Sequence, residues 1–226
     1  MIILAGSSRA GGLQSGLPDV SETICISGGR ISVVTEEVVA SLSHKNTTNQ
    51  TIQVYIMAGL CDFTRKIKNY RQNYTECVFD SDPEEAITRV ISAFNKCIQD
   101  IQNAGATPVL CTITSANIAQ YNLELLHQRW TRHLEYSKDY DSMQIKLNQT
   151  IDAINNYITA TNHNAGLSTP HTHSAIKKRC GNGRRARYRY NWKGLLDGVH
   201  ADSDTKIKWA QSIQSAIRRN FPHTLH

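Results

Sequence analysis

With 226 residues, 40% of them hydrophobic and 19% charged, the chain has the apolar material to bury a full core as one domain. It has no run of 18 apolar residues, which sets aside a membrane-spanning helix, and its first residues lack the basic and long apolar regions of a signal peptide. The formal charge of +6 is concentrated: residues 177–193, KKRCGNGRRARYRYNWK, hold eight of the 25 basic residues and no acidic one, so the remainder is about neutral.

Residues 1–5 form an apolar run with two adjacent isoleucines and lead into Gly6-Ser7-Ser8, which reads as a short buried strand and a tight turn. Residues 13–20 suit a helix or a loop. A second apolar run, 23–26, stops at Ser27-Gly28-Gly29. Ile31, Val34, Val38 and Val39 fall on one face of an amphipathic helix that ends near Leu42. Residues 51–58 are a third strand, closed by Gly59 and followed by Leu60-Cys61-Asp62.

Residues 63–82 show no clean period and are expected as a loop over the carboxyl edge of the sheet. Asp82-Pro83-Glu84-Glu85 supplies an N-cap, a proline at the first helical position and first-turn acids. The helix it opens carries Ile87, Val90, Ile91, Phe94, Ile98 and Ile101 on one face and is expected to stop at Gly105. Residues 107–113 are a fourth strand, 116–136 a helical excursion, and a further helix starts near Ser142. Residues 165–168 are expected as a fifth strand. A loop rich in histidine and arginine, at about 170–194, precedes Leu195-Leu-Asp-Gly-Val-His200 and a last helix from about Ser203 to Arg219.

Strands separated by helical crossovers imply a parallel sheet covered on both faces, an α/β class, because parallel strands need long connections. Ser8, Gly28, the segment 59–62 and the pair Asp197 and His200 all follow strands or precede the last helix, so they would gather at one edge of the sheet. Asp-x-x-His by itself carries little in a chain with nine histidines; its place just before the final helix is the informative part.

In order and spacing these blocks resemble the SGNH (GDSL-type) hydrolases, serine esterases and lipases on a flavodoxin-like three-layer α/β/α sandwich, and the resemblance covers nearly the whole chain. It implies a five-stranded parallel sheet in a single domain spanning 1–226, with a basic insertion at about 170–194. Ser8 would be the nucleophile, with Ser7 standing where the family has aspartate. His200 would be the base and Asp197 its orienting partner. Backbone N–H groups of Ser8 and Gly28 would hold the oxyanion. The third block departs from the family: Gly59-Leu60-Cys61-Asp62 has Cys61 where an asparagine side chain donates to the oxyanion, and a thiol is a weak donor. The implied substrate is a small acyl or acetyl ester. Chains with Asp-Gly-x-His are also similar to the esterase-like domains of some retrotransposons, where a basic segment accompanies them.

The alternative is a module that kept the fold, lost the chemistry and binds RNA or DNA through Arg184, Arg185, Arg187, Arg189, Tyr188 and Trp192, since guanidinium groups pair with phosphates and aromatic rings stack on bases. No Walker loop or dinucleotide fingerprint occurs, so no cofactor is expected. His171, His173 and Cys180 are expected in an exposed loop rather than on a metal, and Glu124 with His127 as a surface pair. The scattered cysteines, with Cys25 and Cys111 read as small hydrophobes, fit a reducing, intracellular setting in cytoplasm or nucleus; the four Asn-x-Thr sequons are then incidental.

Overall fold

A computed structural model of the chain describes residues 1–45, 51–69, 74–79, 82–127, 140–180 and 187–221. In chain order the elements are β1 (Ile2–Ser7), two 3₁₀ turns (Ser8–Ala10 and Gln14–Gly16), β2 (Glu22–Ile26), α1 (Ile31–Ser43), β3 (Gln53–Met57) and the single turn α2 (Leu60–Phe63). There follow β4 (Thr64–Asn69), β5 (Tyr74–Phe79), α3 (Pro83–Asn103), β6 (Thr107–Leu110), α4 (Ile118–His127) and α5 (Tyr140–Asn164). The chain then gives a 3₁₀ turn (Thr172–Ile176), β7 (Lys177–Cys180), β8 (Arg187–Tyr190) and α6 (Ser203–Asn220).

The central sheet is parallel throughout and runs β2-β1-β3-β6. Every side chain of β1 and of β3 is buried, as strands covered on both faces require. One face of the sheet, carrying Ile3, Ala5, Val54 and Ile56, packs in one core with Val34 and Val38 of α1, Phe94 and Ile101 of α3, and Ile154 of α5. The other, carrying Ile2, Leu4, Tyr55 and Val109, packs with Trp209, Ile213 and Ile217 of α6. Each such side chain taken from water stabilises by about 1.5 to 3 kcal/mol, so two apolar cores on opposite faces account for the three layers. At the start of α3, Asp82 accepts from the N–H groups of Glu84 and Glu85 at 2.9 and 3.4 Å, with Pro83 following it as expected.

The expected fifth strand is absent: residues 165–168 leave the end of α5 as a turn. The N–H groups of Ala165, Gly166 and Leu167 donate back to carbonyls of Thr161, Asn162 and His163, so these donors are unavailable for a ladder. Side chains of α5 supply what a strand would have given. Asn162 accepts from Leu110 N–H at 3.1 Å and donates to Leu110 O at 2.8 Å. Asn155, seven residues earlier on the same helix face, does the same for Ile113 at 2.6 and 2.9 Å. A carboxamide presents an N–H donor beside a C=O acceptor much as a peptide unit does, so each asparagine stands in for a strand residue, and Asn162 uses its second N–H on Thr169 Oγ1 at 3.1 Å.

Other expectations also change. Residues 64–69 and 74–79 are an antiparallel pair, β4 with β5, where a loop was expected; Arg65 and Lys66 hide the alternation of apolar residues that marks a strand. The basic segment includes a second antiparallel pair, β7 with β8, so it is not a plain loop. The helix expected over 116–136 is described as α4 only to His127, and 128–136 fall outside the described residues. Residues 13–20 contain the 3₁₀ turn Gln14–Gly16 and no longer helix. Cys111 is buried as expected, whereas Cys25 is exposed on the sheet's edge strand. Among the described residues, no helix is long and apolar enough to cross a membrane.

Candidate active site

β1 ends at the buried Ser7, and the 3₁₀ turn that follows carries Ser8 past the carboxyl edge of the sheet. The segment bearing His200 is a tight loop closed by the bridge Leu195↔Ala201 and by Leu196 N–H donating to His200 O at 2.7 Å. Within it, Asp197 Oδ1 accepts from the N–H groups of Val199 and His200 at 2.9 and 2.6 Å, an aspartate turn that fixes the carboxylate against its own backbone. Gly198 is required at this point. Its φ is +84°, and a Cβ there would land on Asn117 O and 2.9 Å from Tyr121 N, because the loop is docked on the start of α4 through Asn117 N–H donating to Gly198 O at 2.7 Å.

Residues 192 positions apart thereby meet. Ser8 Oγ lies 3.2 Å from His200 Nε2, and His200 Nδ1 lies 2.6 Å from Asp197 Oδ2. Burial pushes the Asp197 carboxyl up, but the hydrogen bonds from His200 N–H, the imidazole and Val199 N–H, with the imidazole's charge, hold it below the usual carboxylate range. An ionised carboxylate only accepts, so Nδ1 carries the proton and Nε2 is left to accept from the Ser8 hydroxyl.

Gly28, in the turn after β2, has φ +67° and no atom within 4 Å of where a Cβ would stand, so its backbone faces open space. Cys61, in α2, joins Ser8, Gly28 and His200 on the wall of a cavity of about 500 Å³. Burial pushes the Cys61 thiol up against the lowering pull of Arg9, so the group facing the cavity is a neutral S–H. Asp62 turns away and accepts from Ile31 N–H at 3.1 and 3.3 Å, capping α1; burial raises its carboxyl to about 6. A larger groove of about 850 Å³ along α1 and α3, beside Val39, Leu42 and Asn103, has neither histidine nor cysteine among its described lining residues.

Arg9 was not singled out from the sequence and organises the site from behind. It is 6% exposed, yet its guanidinium donates from Nε to Val199 O at 3.0 Å, from Nη1 to Thr114 O and from Nη2 to Ser115 O at 3.1 Å. It therefore ties the Ser8 turn to Val199, next to His200, and to the segment after β6. Burial lowers its pKa to about 10, which leaves it charged at neutral pH. Nothing in the sequence marks it, because an arginine after a serine turn is ordinary until its three carbonyl acceptors are in place.

The described residues of the basic tract are not among the described lining residues of this cavity. Arg184 and Arg185 fall outside the described residues, and Arg187, Tyr188 and Arg189 are backbone members of β8. Trp192 stacks on Tyr190 with centroids 4.8 Å apart and planes 5° from parallel, so one of its faces is already covered. Lys177 pairs with Asp152 at 2.7 Å. His171 and His173 contact edge to face at 5.8 Å, His173 Nδ1 lies 2.9 Å from Thr112 Oγ1, and no group of three metal-ligating side chains occurs among the described residues. The side chain of His127 lies outside the described residues.

A parallel sheet between helical layers, with serine, glycine, the cysteine block and Asp-x-x-His at its carboxyl edge, defines the class: the chain has the fold of the SGNH (GDSL-type) hydrolases. No family model matches the sequence, and no curated protein matches it. Among solved structures it is similar to a member of the lipolytic G-D-S-L family from Veillonella parvula, with TM-score 0.60 and 11% identity over 96% of this chain and 98% of that one. It is similar also to a protein assigned as an acylhydrolase from Bacteroides fragilis, with TM-score 0.57 and 16% identity over 97% and 86% of the two chains. The OSK domain of Drosophila Oskar matches at TM-score 0.53 and 12% identity, over 95% and 86%.

Proposed function

We propose that the protein is a serine ester hydrolase for small acyl esters, working through an acyl-enzyme. The observation that carries this is the chain of contacts from Ser8 Oγ to His200 Nε2 at 3.2 Å and from His200 Nδ1 to Asp197 at 2.6 Å, on the wall of a cavity of substrate size. Ser8 Oγ attacks the acyl carbon while its proton passes to His200 Nε2. The ester C–O bond breaks, and the departing alcohol takes that proton. Water then attacks the acyl-serine, gives a proton to His200, and the acid leaves as Ser8 regains its hydrogen. Asp197 holds the imidazole in the right tautomer and offsets its positive charge. Backbone N–H groups of Ser8 and Gly28 are the oxyanion donors, with Cys61 a weak third.

Cys61 lowers the expected rate without changing the reaction, since one lost oxyanion donor costs about a hundredfold to a thousandfold. The protein should turn over p-nitrophenyl acetate slowly, Ser8→Ala should abolish this, and Cys61→Asn should raise it by about tenfold or more. Turnover that survives Ser8→Ala would sink the assignment. What favours this over a non-catalytic nucleic-acid module is that the three polar groups form one chain of contacts with Ser8 and His200 on the wall of one cavity, whereas Trp192 already spends one face on Tyr190.

A further inference from the structure

The cavity in front of Ser8 has charge of one sign. Arg30, immediately before α1, and Arg65 and Lys66, on β4, line it from two separate elements, and all three are solvent-exposed. Among its described lining residues there is no aspartate or glutamate. Its two thiols do not supply the missing negative charge: burial keeps Cys61 protonated and pushes Cys77 up to about 11. The neighbouring acids are engaged behind the wall: Asp62 accepts from Ile31 N–H at the start of α1, the buried Glu76 accepts from Tyr140 OH at 2.5 Å, and Asp197 is held on His200 Nδ1. The apolar part of the wall is separate, made by Leu60, Ala116 and Ile118. Tyr121 forms another part of it, with Lys66 Nζ 5.9 Å from the ring.

Like charges brought together on a concave wall repel one another, and low-dielectric walls focus their field into the cleft, so an anion entering it is both attracted and oriented. An aliphatic or acyl segment would lie along the apolar part while a charged end reaches the cations. We propose that this cavity selects esters that carry a negatively charged group, carboxylate or phosphate, within reach of Arg30, Arg65 and Lys66 when the ester carbonyl is at Ser8. This rests on the esterase assignment above and adds its substrate class. The β4–β5 pair thereby acquires a role: it carries two of the three cations to a cavity whose reacting groups come from β1 and the loop before α6.

The test compares kcat/KM for p-nitrophenyl hydrogen succinate, p-nitrophenyl phosphonoacetate and the neutral p-nitrophenyl butyrate and acetate, with the Ser8-independent background subtracted. The wild-type protein should prefer at least one anionic ester over its neutral counterpart by about tenfold or more at low salt. Which anion is favoured tells carboxylate from phosphate. Raising ionic strength from about 0.01 M to about 1 M shortens the screening length from about 30 to about 3 Å and should bring the ratio towards one. In Arg30→Gln/Lys66→Gln the ratio should fall in the same direction, and because it is taken within each protein a general loss of folded material cancels. Serine-dependent turnover of the neutral esters without anionic preference, or a preference untouched by both salt and the double substitution, overturns the charge selection and leaves the esterase assignment standing. Absence of serine-dependent turnover of every ester overturns the two together.

Discussion

Replacing Arg9 by methionine tests whether the buried guanidinium holds the reacting groups in register. Methionine keeps much of the volume and removes every donor, so the carbonyls of Val199, Thr114 and Ser115 lose their partner. A buried acceptor left unpaired costs about 2 kcal/mol, and three of them about 6 kcal/mol. Against this, the variant no longer buries a cation; the lowering from 12.5 to about 10 converts to about 3 kcal/mol. The net destabilisation is about 3 kcal/mol, a fall in Tm of roughly 6 to 12 °C for a chain of this size. Because Val199 lies between Asp197 and His200, kcat for p-nitrophenyl acetate should fall by about tenfold or more, with KM changed less. Arg9→Lys keeps the charge but not the fork of donors, so it should recover part of the Tm and little of kcat. Thermal unfolding by circular dichroism and steady-state kinetics read the two effects separately. An Arg9→Met protein that melts within about a degree of wild type, or turns over ester at the wild-type rate, would refute the positioning role.

Gly198→Ala puts a side chain at φ +84° and onto Asn117 O, so it should lower kcat/KM by about tenfold or more and destabilise the chain by at least about 1 to 2 kcal/mol, read from kinetics and urea unfolding. Asn162→Leu leaves Leu110 N–H and C=O unpaired beneath α5; stability should drop by about 2 to 5 kcal/mol, and the Leu110 amide should exchange faster with deuterium while its neighbours on β3 stay protected. Asp62 has a folded pKa of about 6 against 3.8 in the unfolded chain, so the folded state holds the extra proton between these values and the group's contribution to stability falls as pH rises from about 4 to about 6. The difference between wild type and Asp62→Asn, which keeps an acceptor for Ile31 N–H, should show that slope in Tm measured across this range; a flat difference would mean that the carboxyl is not perturbed by burial.

How far the sequence reached can be seen element by element. The strands at 2–7, 22–26, 53–57 and 107–110 and the helices α1, α3, α5 and α6 were legible because burial on one face or two imposes a period that survives in the residue order. Strand ends then indicated where Ser8, Gly28 and Cys61 would stand, since parallel strands with crossovers bring all such turns to the same edge, while Asp197 and His200 were placed by their position before the last helix. The sequence could not show that strand five is replaced by Asn155 and Asn162: satisfying an edge by side-chain amides leaves no periodic trace, only two asparagines seven residues apart. Nor could it show β4 and β5: β5 buries Cys77 and Val78 as neighbours with Phe79 against the core, and β4 carries Arg65 and Lys66, so neither strand shows an alternating apolar period. Arg9 and the cationic wall belong to the tertiary structure altogether. One depends on three carbonyls drawn from distant segments, the other on Arg30 and Lys66 meeting across two elements. Local sequence determines which groups the chain possesses, and packing determines which of them share a low-dielectric space where their charges and hydrogen bonds count.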